Sequence, residues 1–444
     1  MAQKRKATQN EKRLLNHLRG TRYPAARLQD LRQELSGDDQ IALARSILQN
    51  PYYSERLLSK SFPVSFRELD APFSPGLDLH ADLFWNVARC LAIGSPLRAA
   101  LSGAVKFDNA FLLGQFDRAE TQLAKWQSDF GHSLWSIQAR VLLLQHSRGY
   151  DGQREYALSL RDADEYRGGP SVVAYFASLR NAPVTTYPKF QKTVDELVDT
   201  GKLTPQFKAF LRFHAFHPVT ADESFIGYVL SASMRGSAID CFFAVRFAAI
   251  ALAVGGAAFD DSTHEALGRL SRLTGDRLLG RFFLGSSEPT DRLVQATESY
   301  FEDDFAACAA LALQSLTDDP QSADLLLLHA LASTADDQST EAPIIAISQA
   351  ARRVLTTGDR RGTQASDLLK WCMNLQGSPL SFLAAAVTEI DSVHTRDDAI
   401  VGAASASESA HPLWLRWLRS IPGRFTDHLT DAVTCPAIFG PVEA

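Results

Sequence analysis

The sequence predicts an all-α protein, an irregular α-solenoid of helical hairpins or two helical lobes joined through the middle. Three observations predict it. Apolar residues recur at helical spacing along most of the chain, and strand-type alternation is nearly absent. Two distant stretches also read nearly alike: Leu112-Leu113-Gly114-Gln115-Phe116-Asp117-Arg118-Ala119-Glu120 and Tyr300-Phe301-Glu302-Asp303-Asp304-Phe305-Ala306-Ala307. In each, an aromatic residue is followed by a small one that lets two helices approach, with a leucine one turn on. Such recurrence signals helical-hairpin repeats, whose working part is the groove they leave rather than a reactive side chain.

Residues 1–104 read as a region of short helices. Arg19-Gly20 ends the first, and Gly37-Asp38-Asp39 opens another with an acidic first turn. Pro51 begins the next at its first turn, where a missing N–H costs nothing. Pro63, Pro72 and Pro75 mark 62–77 as irregular, and Asp78 is placed to cap the apolar helix that follows. Residues 105–165 form the best-defined unit. Leu112, Leu113, Phe116, Ala119, Leu123 and Trp126 make one apolar stripe, Gly131 stops that helix, and a second runs from Leu134 until Gly149 stops it.

Residues 166–290 are dense in aromatic and small residues. The most apolar stretch, Phe247 to Phe259, is too short to span a bilayer and reads as a buried helix. Residues 291–444 repeat the hairpin signal around Ala307 and Leu311, with Asp318-Asp319-Pro320 ending a helix before a leucine-rich one. The last helix carries Leu413, Trp414, Trp417 and Leu418 beside Arg416 and Arg419, the composition of an interface hot spot or of a helix sealing the end of a stack.

The unit around Ala119 resembles a tetratricopeptide repeat. Ala119 and Leu123 stand at the family's small-x3-large spacing, with Gly114 five positions earlier. Ala307 and Leu311 repeat it, with Glu302 where the glycine stood. The resemblance covers about a quarter of the chain and implies stacked helical hairpins that bind protein partners.

Composition sets limits on function. With 45% hydrophobic and 22% charged residues the chain has the balance of a globular protein, and a net charge of −6 disfavours nucleic acid as the partner. The one basic cluster, Lys4 to Arg13, is either an arm for acidic partners or a solvated end. No apolar run follows it as in a secretory signal. Five scattered cysteines fit a reducing cytoplasm.

No phosphate loop, nucleophile elbow or zinc-helix motif is present. Arg212 and His217 have the R-x4-H spacing of HEPN ribonucleases, a resemblance that implies a phosphate-binding arginine and a proton-transferring histidine. The alternative is a helix end where aromatic neighbours pack. Asp78, His80 and Asp82 would converge on a metal only off a helix, because positions i and i+2 diverge on one; no metal or other cofactor is expected. The expectation is a non-enzymatic protein-interaction scaffold, one component of a bacterial multi-protein system such as phage defence. A ribonuclease centred on Arg212 and His217, or a nucleic-acid adaptor using the basic arm, are the alternatives.

Overall fold

A computed structural model describes residues 9–19, 21–58, 60–69, 76, 78–163, 168–200, 202–216, 222–234, 236–285, 290–336, 342–347 and 373–378. These residues are 79% helical, in 19 helices with no strand. The α-helices in order are α1 (Gln9–Asn16), α2 (Pro24–Glu34), α3 (Gly37–Gln49), α4 (Pro51–Leu57), α5 (Leu79–Ile93), α6 (Ser95–Leu112), α7 (Phe116–Phe130), α8 (Leu134–Ala163) and α9 (Gly169–Asn181). They continue with α10 (Tyr187–Thr200), α11 (Pro205–Phe216), α12 (Glu223–Ser233), α13 (Ala238–Val254), α14 (Asp261–Thr274), α15 (Arg277–Phe283), α16 (Asp291–Phe301), α17 (Phe305–Asp318) and α18 (Ala323–Ala335). A 3-10 turn, Phe66–Leu69, lies in the proline-rich segment.

Local chemistry sets these boundaries. Asp78 accepts the Ala81 N–H at 2.8 Å and starts α5, and Asn50 accepts from Tyr52 and Tyr53 ahead of Pro51. Gly149 breaks α8 with φ +72 and ψ −169, so that helix is two segments across a kink. Gly131 ends α7 with φ +72, and a Cβ there would lie 2.0 Å from the Pro63 carbonyl oxygen. The proline-rich segment is clamped here by the His132 N–H donating to Pro63 O at 2.7 Å.

α13 is apolar on every face and buried at every position except Ala253. It packs with α5, whose other neighbours are α2, α3, α6, α12 and α14. Stacking of sequence neighbours therefore does not describe this centre, which joins elements far apart in the chain. Buried polar groups tie it together. Arg32 pairs with Asp82, both side chains 3% exposed; Asn86 donates to Leu230 O at 3.2 Å; Arg89 donates to the Ser233, Met234 and Gly236 carbonyls at the end of α12. Asp240 of α13 caps α8 from outside, accepting the Leu134 and Trp135 N–H groups at 2.9 and 3.0 Å. A second, smaller core lies under α8 to α11 and gathers Ile137, Phe176, Phe190, Val194 and Leu211.

The repeat seen in the sequence exists as two three-helix units, α6–α7–α8 and α16–α17–α18. Gly114, Phe116, Ala119, Leu123, Ser133 and Arg140 correspond, without insertion or deletion, to Asp303, Phe305, Cys308, Ala312, Ser322 and His329. Gly114 and Asp303 both turn the chain with positive φ, +72 and +61. The next N–H closes the same loop in each, Gln115 to Ala110 O at 2.8 Å and Asp304 to Ser299 O at 3.0 Å. Phe111 meets Phe116 at 5.6 Å between ring centres, and Tyr300 meets Phe305 at 5.5 Å. Ser133 and Ser322 cap the third helices through the Ser136 and Leu325 N–H groups. The crossing contacts match too: Arg140 reaches Glu120 at 3.4 Å, and His329 Nδ1 lies 3.1 Å from Ala309 O.

This register differs by one residue from the spacing read in the sequence. Ala119 and Leu123 are wholly buried as expected, but Ala307 and Leu311 are only half-buried, and Cys308, Ala312 and Leu316 hold the inner face of α17. The left-handed turn decides the alignment. The counterpart of Gly114 is Asp303 rather than Glu302, and Asp tolerates that conformation better than most residues. Gly114 also works differently from expectation: it turns the chain, and a Cβ on it would press against Ala342 at 3.4 Å. α6 runs unbroken across the expected boundary at 104/105.

Candidate functional site

A short turn, 373–378, is inserted between the two cores and buried at all six positions. Met373 packs into the smaller core and Leu375 into the larger, and Ser378 N–H closes the turn on Leu375 O at 3.0 Å. Helices α6, α9 and α13 supply the charged or polar side chains that meet it, Asp108, Arg180, Asn181 and Arg246, while α8 and α11 hold Arg180 in place.

Arg180 of α9 is the centre of this grip, and it is wholly buried. One edge of its guanidinium caps the end of α11, with Nη1 donating to the His214 and Ala215 carbonyls at 3.3 and 2.9 Å. The other edge faces the turn. Nε and Nη2 converge on Asn374 Oδ1 at 3.1 and 2.7 Å, and Nη2 also donates to Gln138 Oε1 at 2.9 Å. Asn181 completes the cradle, donating to Asn374 Oδ1 at 3.2 Å and accepting from Asn374 Nδ2 at 3.0 Å. None of the described carboxylates pairs with Arg180. Burial without a counter-charge pulls its pKa down to about 9. His214 beside it is held neutral, its pKa lowered to about 3 by burial and by the Arg180 charge.

Two further groups hold the rest of the turn. Arg246 of α13 donates to the Gln376 carbonyl, pairs with Asp276 at 3.2 Å and lies 5.3 Å from the Phe243 ring centre. Asp276 in turn caps α15 through the Leu279 N–H at 2.9 Å. Asp108 of α6 faces Gly377, where an added Cβ would stand 2.4 Å from Asp108 Oδ2. Neither Asp108 oxygen completes a hydrogen bond with a described group. Burial drives this carboxyl well above the usual carboxylate range, opposed by the Arg246 charge and by the amides of Gly377 and Ser378.

The candidates named from the sequence lie elsewhere. Arg212 is half-buried on α11 and spans two carboxylates, Asp195 at 3.2 Å and Asp199 at 3.1 Å, which would compete with any phosphate. His217 falls outside the described residues, as do Leu413, Trp414, Trp417 and Leu418. Asp78, His80 and Asp82 do not converge: Asp78 caps α5, His80 is exposed, and Asp82 turns inward to Arg32. No group of three or more His, Cys, Asp or Glu among the described residues could hold a metal ion. No described helix is long and apolar enough to cross a membrane.

Sequence reading missed Arg180, Asp108 and Asn374. The available signal was weak: a charge within an apolar helical stretch, as at Arg180 after Phe176 and Leu179, or Asp108 after Phe107. No protein-family model matches the chain, and no curated protein or solved structure is similar to it.

Proposed function

We propose that this chain is a protein-interaction scaffold without chemistry of its own, one member of a multi-protein assembly. The observation that supports this reading is the pair of three-helix units that share turn, aromatic contact, cap and crossing register. Repeated helical hairpins of this kind offer extended surfaces for partners, each unit stabilised by its neighbours. Phe301 adds to it. This side chain at the α16–α17 turn is 64% exposed, whereas Leu112 at the matching position of the first unit is wholly buried.

Purification of the tagged full chain from cells that naturally carry it, followed by light scattering on the eluted species, tests the reading. A stoichiometric protein complex is expected, weakened by Phe301→Asp in a chain whose unfolding temperature is unchanged. A chain that elutes alone at every concentration and turns over a small molecule would overturn it.

A further inference from the structure

Helical proteins bury arginine in two ways, against a carboxylate or against the carbonyl end of a helix. Arg180 does the second with one edge only. Its Nε–Nη2 edge is the flat fork that matches the two oxygens of a carboxylate, yet here it closes on the single amide oxygen of Asn374. Asn181 and Gln138 flank the fork and leave no described acid beside it. The groove around it reads four consecutive positions of the turn. Met373 enters one core, Asn374 meets the fork, Leu375 enters the other core, and Gln376 offers its carbonyl to Arg246. The next position favours glycine, because an added Cβ would stand 2.4 Å from Asp108 Oδ2 and that buried carboxyl would have to shift.

We propose that the Arg180 fork is a carboxylate-recognition pocket for an acidic turn peptide of pattern apolar-Asp-Leu-x-Gly, and that the chain's own Met373–Ser378 turn occupies it as an uncharged stand-in. A partner carrying aspartate at the position of Asn374 gives the fork a charged oxygen in place of a neutral one, while its second oxygen replaces Nδ2 beside Asn181, whose side-chain amide must turn to donate to it. The aspartate thereby supplies the counter-charge the buried guanidinium lacks. Charge-assisted pairs are shorter and stronger than neutral ones, so the aspartate peptide binds about tenfold tighter than its asparagine twin. The pocket rests on the geometry of α8, α9 and α11 and stands whether or not the hairpin units bind partners of their own.

The test uses full-length chains and fluorescein-labelled synthetic peptides covering residues 371–380, with serine in place of the cysteine and either asparagine or aspartate at the fourth position. Asn374→Ala, verified as folded by circular dichroism, weakens the internal turn. Fluorescence anisotropy should then show both peptides binding, the aspartate form about tenfold tighter. Arg180→Gln removes both the charge and the fork, and should abolish that preference. In a separate measurement Asn374→Asp in the intact chain should raise the thermal midpoint at neutral pH, and the gain should vanish as the pH falls through the carboxylate range. Failure of either peptide to bind the folded Asn374→Ala chain, equal affinity for the two peptides, or a lower midpoint for Asn374→Asp at neutral pH would each overturn the proposal.

Discussion

The one-residue register shift between the two hairpin units can be read by mutation. Leu123 is 0% exposed and sits on the face of α7 that Ala119 and Trp126 share. Removing its isobutyl group leaves a cavity in a stack where α6 and α8 are held by their own caps and crossings. Leu123→Ala should therefore cost about 3 kcal/mol, in the middle of the span for buried leucines. Leu311 lies at the spacing the sequence equates with Leu123, but it is half-buried, beside rather than on the face that Cys308, Ala312 and Leu316 form. It loses only part of its apolar burial, so Leu311→Ala should cost about 1 kcal/mol. Native-state hydrogen exchange with mass spectrometry, following peptides from α7 and α17, measures each unit's opening free energy separately and avoids assuming that the whole chain unfolds in one step. Equal losses from the two substitutions would refute the alignment on Asp303 and restore the alignment on Glu302.

Burial raises the Asp108 carboxyl, so the folded chain binds a proton that the unfolded chain releases. The stability tied to this group is fully present below the unfolded carboxylate range, about pH 4, and is lost as the pH rises through the folded value. Asp108→Asn mimics the protonated acid and should melt above wild type at pH near 8, with the gap closing toward about pH 4; a gap independent of pH would mean that burial does not raise this carboxyl. Asp82→Ala should cost about 3–5 kcal/mol by denaturant titration, because it leaves Arg32 charged and buried, and adding Arg32→Met should recover most of that loss. Gly131→Ala should cost about 2 kcal/mol or more from backbone strain and collision with Pro63 O, whereas Gly149→Ala, with the same φ and open space around it, should cost about 1 kcal/mol. Similar midpoints for these two variants would mean that the Pro63 clamp does not constrain Gly131.

Local features were legible in the sequence because their causes are local. Asp78 as a cap, Pro51 at a first turn and Gly131 as a stop each follow from a few neighbouring residues, and each stands in the structure, whereas the buried helix expected over Phe247–Phe259 runs instead from Ala238 to Val254 and is stopped at Gly255, leaving 255–259 outside it. The repeat was legible as a repeat but not in register. Alanine and leucine recur so often in helices that Ala307 and Leu311 matched Ala119 and Leu123 by identity. The turn conformation and the aromatic pair, which depend on Phe116 and Phe305, fix the alignment one residue further on. The candidate site was not legible, since its parts meet only in three dimensions. Arg180 and Asn374 are separated by 194 positions, and nothing in either neighbourhood announces the other.

The contrast between Arg89 and Arg180 shows why burial alone does not mark a site. Both guanidinium groups are 0% exposed, and both lack a paired carboxylate among the described residues. Arg89 gives its Nη1 and Nη2 to the Ser233, Met234 and Gly236 carbonyls around the end of α12, where the helix dipole places partial negative charge, and Nη1 also meets Cys241 Sγ of α13 at 3.6 Å. The residue ties α5 to α12, and its Nε makes no hydrogen bond with a described group. Arg180 gives the end of α11 one edge and turns the other toward a segment from far along the chain. A structural cap alone needs only the first edge. The second edge, with Nη2 held also by Gln138 and both nitrogens closed on the Asn374 amide, is the feature on which the proposed recognition role of this arginine rests.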